Sequence, residues 1–412
     1  MTNELQLIGP FSQVLTFAHT ALRGTLEDDA MGVIINGGIL IRGNEIAHVD
    51  DYEALALRFP EARVHSIDSN MVAMPGLVDA HTHICFAGSR SKDFAARNSG
   101  ISYQEIAKAG GGIWSTVTHT RAASENELVE LMYQRVNRLK DSGITTVEVK
   151  SGYGLSVNEE LKLLKAINTL REKSEITIIP TCLAAHIIPK EYNQDASAYI
   201  NDIIDNLVPQ IKNMDLCSRF DIFIEENAFS VSDAEVYLSQ LKDHGFDITV
   251  HGDQFTTGGS AVAVQFEAMS VDHLEVSTDH EIELISKSNT VAMALPGASL
   301  GLGCAFTPCR KILDAGGILA IASDWNPGSA PMGDLLVQAS ILATFEKLST
   351  AEVLAGITFR AAHALGLQDR GRLITGLNAD ICAFPCGEYS EIVYQQGTMK
   401  PEMVWKSGKR IK

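Results

Sequence analysis

Residues 75–83 read Pro75-Gly76-Leu77-Val78-Asp79-Ala80-His81-Thr82-His83, an apolar run that ends in two histidines. In a β-strand, alternate side chains lie on the same face, so both imidazoles of such an ending can bind one ion. The run is the first of eight short apolar or β-branched segments that alternate with helical patterns through the middle of the chain. This alternation is typical of parallel α/β units.

The eight predicted strands, with the helices between them, match the usual size of a (β/α)8 TIM barrel, about 250 residues. We expect strands at 77–83, 145–150, 176–183, 220–225, 247–251, 271–274, 291–295 and 319–323. The alternative is a doubly wound open sheet, which favours a glycine-rich nucleotide-binding turn after an early strand. Gly110-Gly111-Gly112 lacks the Lys-Ser/Thr of a phosphate-binding loop, so we interpret it as a flexible bend. The predicted fold class is therefore α/β, with a (β/α)8 barrel.

Both ends of the chain are rich in short strands and turns. We expect residues 1–72 and 370–412 to form a small composite β-sandwich domain beside a barrel of residues 73–369. Residues 36–38 and 42–44 are predicted as turns between short strands, and residues 407–409 as a hairpin turn. Ser232, with Glu235 three residues later, is predicted to begin a helix.

The composition describes a large acidic protein. Its 412 residues are 45% hydrophobic and 20% charged, enough for one large core and a smaller second domain. The formal net charge of −18 argues against nucleic acid or an anionic membrane as a partner. The N-terminus has no basic segment before an apolar run, and the seven cysteines are scattered. We therefore expect a cytoplasmic protein without disulfides.

Four residues of metal-ligand type end strands that are far apart in the sequence. His81 and His83 end strand one, His251 ends strand five, and Asp324 follows strand eight. Each alone has an ordinary explanation, since such histidines are often incidental and such an aspartate often caps a helix. Because the strand ends of a barrel converge on one mouth, the joint placement predicts a shared metal site. Three imidazoles and a carboxylate suit a zinc-like or iron-like ion with an open position for water.

The strand-one motif resembles that of the amidohydrolase superfamily, in which a β domain built from both chain ends is also typical. Binuclear members place a bridging lysine or a histidine at the end of strand four, where this chain has Ile224-Glu225-Glu226. The resemblance therefore implies a single metal. Lys150, which ends strand two, is a poor candidate for a bridge, and we expect it to pair with Glu148 or a neighbouring acid.

Within the superfamily, residues 109–113, 148–154, 251–254 and 323–329 resemble segments of the imidazolonepropionase family. The resemblance implies metal ligands at His81, His83, His251 and Asp324, and substrate contacts at Arg90, Tyr153, His186, Gln254, Asn326, Gly328 and Ser329. It also implies a homodimer with one Zn²⁺ or Fe³⁺ ion per chain. The implied reaction on a small-molecule substrate is the hydrolytic ring opening of 4-imidazolone-5-propanoate to N-formimidoyl-L-glutamate in histidine degradation.

The side chains at the implied contact positions suit that substrate. A guanidinium at Arg90 can bind a propionate carboxylate through two hydrogen bonds, although from sequence alone a surface arginine is the simpler interpretation. Tyr153 lies between two glycines that leave room for a ligand; the alternative is an aromatic lid on the core. His186 contacts substrate or caps a loop. Tyr103 is a weaker contact candidate in the same loop as Arg90.

The segment after strand eight has two interpretations. The donors of Asn326, Gly328 and Ser329 suit a second oxyanion, and the alternative is a plain Asn-Pro-Gly turn.

Gln254, which follows strand five, can both donate to and accept from a ring lactam.

Catalysis in this scheme needs a base and a group that stabilises an oxyanion. We expect Asp324 to take a proton from water. His273, which ends strand six, is a fifth ligand, a polariser of the substrate carbonyl or a hydrogen-bonded polar residue at the rim, and we favour the polariser.

Two other functions compete with this interpretation. One is a deaminase or another cyclic amidase on the same barrel, and the other is a non-catalytic scaffold, which has no need of the four ligands.

Overall fold

The structure is a computed structural model that describes residues 4–67, 70–101, 105 and 109–412. Its strands, in chain order, are β1 (Leu5–Leu15), β2 (Val33–Arg42), β3 (Glu45–Asp51), β4 (Arg63–Ser66), β5 (Val72–Pro75), β6 (Leu77–Asp79), β7 (Ile144–Lys150), β8 (Thr177–Ala185), β9 (Arg219–Phe223), β10 (Asp247–Gly252), β11 (Ser270–His273), β12 (Val291–Ala294), β13 (Leu319–Ile321), β14 (Ile381–Phe384), β15 (Met403–Lys406) and β16 (Lys409–Arg410).

Helices lie between most of the barrel strands, and Tyr52–Arg58 packs against β1, β2 and β3. The α-helices are Tyr52–Arg58, Ser91–Asn98, Ile113–Ala122, Glu125–Asp141, Val157–Lys173, Ala196–Asp202, Val208–Met214, Val231–Asp243, Gly259–Gln265, Asp279–Lys287, Pro296–Leu302, Cys309–Asp314, Leu335–Glu346, Thr350–Gly356, Phe359–Ala364 and Ser390–Tyr394. Short 3₁₀ turns occupy Asp28–Met31 and Lys190–Tyr192, and a π-helical turn occupies Ile203–Leu207. Within the described residues, no helix combines the length and the apolar character needed to cross a membrane.

The strands β6 to β13 form one parallel sheet in chain order, which confirms the predicted (β/α)8 architecture. The sheet closes just beyond β6 and β13, where Thr82 and Trp325 form a parallel bridge. Asp324 N donates to His81 O at 3.0 Å, and His83 N donates to Trp325 O at 3.0 Å. This closing seam brings the ends of the first and last barrel strands into direct contact.

A second hydrogen bond network ties the first barrel strand to the last at a deeper level. The buried carboxylate of Asp79 accepts from Ser323 N at 2.9 Å and from Ser323 Oγ at 2.6 Å. Burial raises the pKa of Asp79 to about 7, against the lowering effect of these bonds. The hydrogen bonds between Ser323 and Asp79 therefore also join the first and last barrel strands, next to the mouth of the barrel.

Both ends of the chain join in a second, mixed sheet of eight strands. Its order is β16-β15-β14-β5-β1-β2-β3, and β4 pairs with β1. The antiparallel pairing of β14 with β5 joins the C-terminal strands to the N-terminal ones. The predicted boundaries at 72/73 and 369/370 stay a prediction.

Two local predictions are wrong. Residues 36–38 are not a turn, because Val33–Arg42 is one strand that pairs with β1 along most of its length. A side chain at Gly37 would lie 2.6 Å from Val14 Cγ2, so the glycine permits close packing of β2 on β1. The helix predicted to begin at Ser232 has Ser230 as its cap instead, in a reciprocal capping box with Asp233. The turns predicted at 42–44 and 407–409 are confirmed, with the turn residues themselves at 43–44 and 407–408.

Candidate metal centre

The four residues of ligand type meet at the mouth of the barrel. His81 Nε2 lies 3.1 Å from His83 Nε2, and His251 Nε2 lies 3.3 Å from His83 Nε2. Asp324 Oδ1 lies 3.6 Å from His81 Nε2 and 3.3 Å from His83 Nε2. All four side chains are buried. The structure therefore brings together the four residues that the sequence placed at three separate strand ends.

Two carboxylates fix which nitrogen of each imidazole faces the others. Asp272 Oδ2 lies 2.6 Å from His81 Nδ1, and Asp221 Oδ1 lies 3.0 Å from His251 Nδ1. Each Nδ1 donates its proton to a carboxylate, so each Nε2 carries a lone pair. Two lone pairs that face each other at about hydrogen-bond distance repel, and a cation between them removes the repulsion.

The protonation state of the rings agrees with this arrangement. Burial and the nearby Lys150 lower the pKa of His83 to about 3. Burial lowers the pKa of His251 to about 3, although Asp221 opposes the shift. The pKa of His81 is also held well below its usual range, chiefly by burial. All three imidazoles are therefore neutral near pH 7 and available as ligands.

The spacing of the ligand atoms fits one small ion. A tetrahedral zinc site with metal–nitrogen bonds of 2.0–2.1 Å separates its ligand atoms by roughly 3.3 Å. The measured separations run from 3.1 to 3.6 Å. Three neutral nitrogens and one carboxylate oxygen are donors that zinc and iron both accept. The residues present therefore fit the metal that the sequence predicted.

Lys150 lies below this set, inside the barrel. Its Nζ is 2.7 Å from Glu148 Oε1 and 2.7 Å from Asp221 Oδ2, and only 1% of its side chain is exposed. This confirms the expected pairing with Glu148 and adds Asp221. Burial alone would lower the pKa of Lys150, but Asp221, Glu148 and Asp272 raise it overall, so the ammonium stays charged.

Asn326 binds the carboxylate oxygen of Asp324 that does not face the histidines. Asn326 Nδ2 donates to Asp324 Oδ2 at 2.9 Å, which leaves Oδ1 facing the histidines. Burial raises the pKa of Asp324, while His273 and His251 lower it by a smaller amount. A carboxylate with a raised pKa is a better proton acceptor than an ordinary aspartate.

His273 lies on the same mouth, at the end of β11. Its ring centroid is 5.4 Å from that of His251, and its Nδ1 is 3.3 Å from Glu275 Oε1. Burial lowers the pKa of His273, but Glu275, Asp324 and Asp272 outweigh it, so the net shift is upward. An imidazole N–H at this position is a donor for a developing oxyanion.

His186 and Tyr153 line the other side of the mouth. The His186 ring stacks on that of His83 with centroids 5.5 Å apart, and His186 Nδ1 donates to Gly152 O at 2.9 Å. The Tyr153 ring is 6.2 Å from that of His83 and is buried. Burial and Asp324 raise the pKa of Tyr153, whereas Arg90 lowers it. The structure therefore places both residues beside the proposed ligands.

Arg90 is tethered by one nitrogen and packed against the segment after β13. Its Nε donates to Asp93 Oδ2 at 2.9 Å, and the same oxygen accepts from Gly112 N at 2.8 Å. Gly112 directly precedes the helix Ile113–Ala122. The glycine-rich segment therefore donates a hydrogen bond to the Asp93 carboxylate, which in turn binds Arg90. Arg90 and Asn326 line one cavity of about 490 Å³.

The segment 326–329 forms the turn that was the alternative interpretation. Asn326 Oδ1 accepts from Gly328 N at 2.7 Å and from Ser329 N at 2.8 Å. These two N–H groups are therefore occupied within the turn, while Ser329 Oγ accepts from Asn326 Nδ2 at 2.9 Å. The geometry favours the turn, and a contact of these residues with substrate stays a prediction.

Gln254 follows β10 in a loop that Glu225 holds. Glu225 accepts from Phe255 N at 2.7 Å and from Thr256 Oγ1 at 2.7 Å. Gln254 itself is buried, at 8% exposure, next to the ligand-bearing strand end. Tyr103 lies outside the described residues.

Sequence reasoning missed four acids that orient the site. Asp221 and Asp272 hold the ligand imidazoles, Asp93 holds Arg90, and Glu225 holds the Gln254 loop. For Asp221 a signal exists, since a charged residue between Phe220 and Ile222 in an apolar strand needs a buried partner.

Comparisons with known proteins give one family match and several named relatives. Residues 72–411 match the amidohydrolase family model. The chain is 38% identical over 416 residues to an imidazolonepropionase from Deinococcus deserti, covering 99% of this chain and 100% of that protein. It is 42% identical over 340 residues to an imidazolonepropionase from Shewanella sediminis, covering 82% of this chain and 83% of that protein.

Solved structures share the fold at low sequence identity. An atrazine chlorohydrolase from Arthrobacter aurescens, complexed with zinc, superposes with a TM-score of 0.70 at 17% identity, covering 98% of this chain and 94% of that one. An adenosine deaminase from Xanthomonas campestris, with bound zinc, gives a TM-score of 0.70 at 17% identity, covering 98% and 92%.

Proposed function

The chain belongs to the amidohydrolase family, and from this premise we propose that it hydrolyses 4-imidazolone-5-propanoate to N-formimidoyl-L-glutamate. Relatives named imidazolonepropionase, 38–42% identical over most of the chain, support the substrate. One structural observation carries the proposal: three imidazole Nε2 atoms and one carboxylate oxygen converge, and two of the rings are held by buried carboxylates.

His81, His83, His251 and Asp324 would hold one ion, Zn²⁺ or Fe³⁺, because both metals accept three nitrogens and an oxygen. Such an ion supplies a water molecule whose pKa lies near neutrality. The remaining chemistry belongs to the side chains of the chain itself.

The proton steps use Asp324 and His273. Asp324 takes a proton from the attacking water, whose oxygen adds to the lactam carbonyl carbon. His273 donates a hydrogen bond to the carbonyl oxygen as it becomes an oxyanion. Asp324 then returns the proton to the ring nitrogen as the carbon–nitrogen bond breaks. One water is consumed, the ring opens to a formimidoyl group and a carboxylic acid that releases its proton to solvent as it becomes a carboxylate, and no oxidant is needed.

Substrate orientation comes from the rim of the mouth. Arg90 binds the propionate carboxylate through its terminal nitrogens, because Asp93 already occupies Nε. Gln254 and His186 face the ring, with His186 Nδ1 fixed on Gly152 so that its Nε2 is an acceptor. Tyr153, Asn326, Gly328 and Ser329 complete the proposed substrate contacts.

Two further features belong to this proposal. We infer a homodimer, on the family resemblance, and light scattering tests it. We also infer a cytoplasmic location, supported by seven cysteines that are all free thiols.

The test is a ring-opening assay on imidazolonepropionate before and after chelation. We expect turnover that disappears with the chelator and returns on addition of Zn²⁺ or Fe³⁺. Guanine and hydantoin, offered in the same assay, represent the deaminase and cyclic amidase alternatives. Preferred turnover of either, or full activity in protein stripped of metal, would overturn the proposal.

A further inference from the structure

A second group of possible ligands shares His251 with the four proposed metal ligands. Asp221, His251 and Asp272 present ligand atoms that all lie within 4.8 Å of one another, and all three residues are buried. Lys150 Nζ lies against both carboxylates, 2.7 Å from Asp221 Oδ2 and 4.0 Å from Asp272 Oδ2. The carboxylates of Asp221 and Asp272 therefore already have a cationic partner, the ammonium of Lys150.

The barrel topology explains this juxtaposition. Lys150, Asp221 and Asp272 lie on β7, β9 and β11, the second, fourth and sixth barrel strands. Alternate strands of a (β/α)8 barrel contribute side chains to one interior layer, so these three groups share a layer. His251 lies on the fifth strand and His81 follows the first, and these odd-numbered strands contribute to the neighbouring layer. The charged layer thus borders the ligand layer.

We propose that Lys150 is a positioning residue of the metal centre, an internal cation that holds Asp221 and Asp272 against His251 and His81 and so sets the affinity for the catalytic ion. The proposal rests on the proposed metal ligands and is independent of the substrate. Each carboxylate in turn fixes one imidazole, at 3.0 Å for His251 and 2.6 Å for His81.

Two buried carboxylates without a cation between them would repel each other and rotate away from the histidines. Lys150 prevents this, and Glu148, two residues earlier on the same face of β7, holds the ammonium from a further side at 2.7 Å. Loss of such outer contacts to ligand histidines typically weakens metal affinity about 10–100-fold.

The test is a cobalt titration of chelator-treated protein. In the wild-type chain we expect one Co²⁺ with visible absorption bands that report on ligand geometry. Lys150→Met should raise the cobalt Kd about 10–100-fold and alter those bands. A wild-type chain that binds no cobalt would refute the metal set itself, whereas an unchanged Kd and spectrum in folded Lys150→Met would refute only the role of Lys150.

A matched control separates positioning from general stability. Lys406 forms a partly buried ion pair, with Asp380 at 2.6 Å, in the mixed sheet. Lys406→Met should lower the thermal unfolding temperature and leave the cobalt Kd unchanged. An equal loss of cobalt affinity in Lys406→Met would overturn the proposal, because the effect would then follow from stability alone.

A double variant covers the case in which Lys150→Met does not fold. Lys150→Met/Asp221→Asn removes one charge of each sign, and its cobalt Kd is compared with that of Asp221→Asn. If Lys150 acts through Asp221, the added loss is smaller than the full 10–100-fold effect. A loss of the full size in the Asp221→Asn background would contradict action through that carboxylate.

Discussion

Gly328→Ala tests how Arg90 is placed. A Cβ at residue 328 would lie 2.4 Å from Arg90 Nη1 and 3.1 Å from Arg90 Cζ. Non-bonded contacts between such atoms settle at about 3.5 Å, so the guanidinium must move by roughly 1 Å. The Asp93 tether on Nε limits how Arg90 can respond.

The expected cost falls on substrate binding and not on folding. Gly328 does not adopt the left-handed backbone conformation, so alanine causes no backbone strain at this position. We expect a change in unfolding free energy within about 0.5 kcal/mol. A misplacement of about 1 Å in a positioning group costs up to about 100-fold in rate. We therefore expect kcat/KM for imidazolonepropionate to fall about 10–100-fold, mainly through KM.

The assay is steady-state ring opening with two controls. Gly387→Ala is the matched control, because the nearest atom to its added Cβ is Asn70 Nδ2 at 3.9 Å; it should leave KM unchanged. In an Arg90→Ala background, Gly328→Ala should add no further loss. An unchanged KM in the single variant, or an equal loss without Arg90, would refute the placement of Arg90 in the substrate site.

Three further predictions follow from the same contacts. Asp324→Asn should abolish turnover while one metal equivalent remains bound, and full activity would exclude Asp324 as the base. Asp93→Ala should raise KM about tenfold with kcat little changed, because Arg90 loses its tether; equal KM values would exclude that tether. Glu225→Ala removes the hydrogen bonds that hold the loop carrying Gln254. We expect faster amide hydrogen exchange in that loop and a higher KM for imidazolonepropionate; unchanged exchange would contradict the role of Glu225 in holding the loop.

The barrel was predictable because its signal is repeated. All eight predicted strands are present, and their ends differ from the prediction by a few residues. The largest difference is in strand one, which ends at Asp79 and not at His83. Residues 81–83 pair across the closing seam with Asp324 and Trp325, a long-range contact that a local pattern does not contain.

The convergence of the candidate ligands was predictable where residue type and strand end coincide, as for His251 and Asp324. The partners that orient these ligands were not, because Asp272 reads as an ordinary residue beside His273. The role of Asp93 depends on where Gly112 N lies in space, 19 residues later in the chain. Local pattern reasoning also failed at residues 36–38, where glycines permit close strand packing instead of a turn.

X-ray absorption of the metal-loaded protein tests the central claim most directly. The account predicts one ion per chain, surrounded by nitrogen and oxygen at about 2.0–2.1 Å with the outer scattering of three imidazoles. A shell containing sulfur at about 2.3 Å, or fewer than three imidazoles, would contradict a site built from His81, His83, His251 and Asp324.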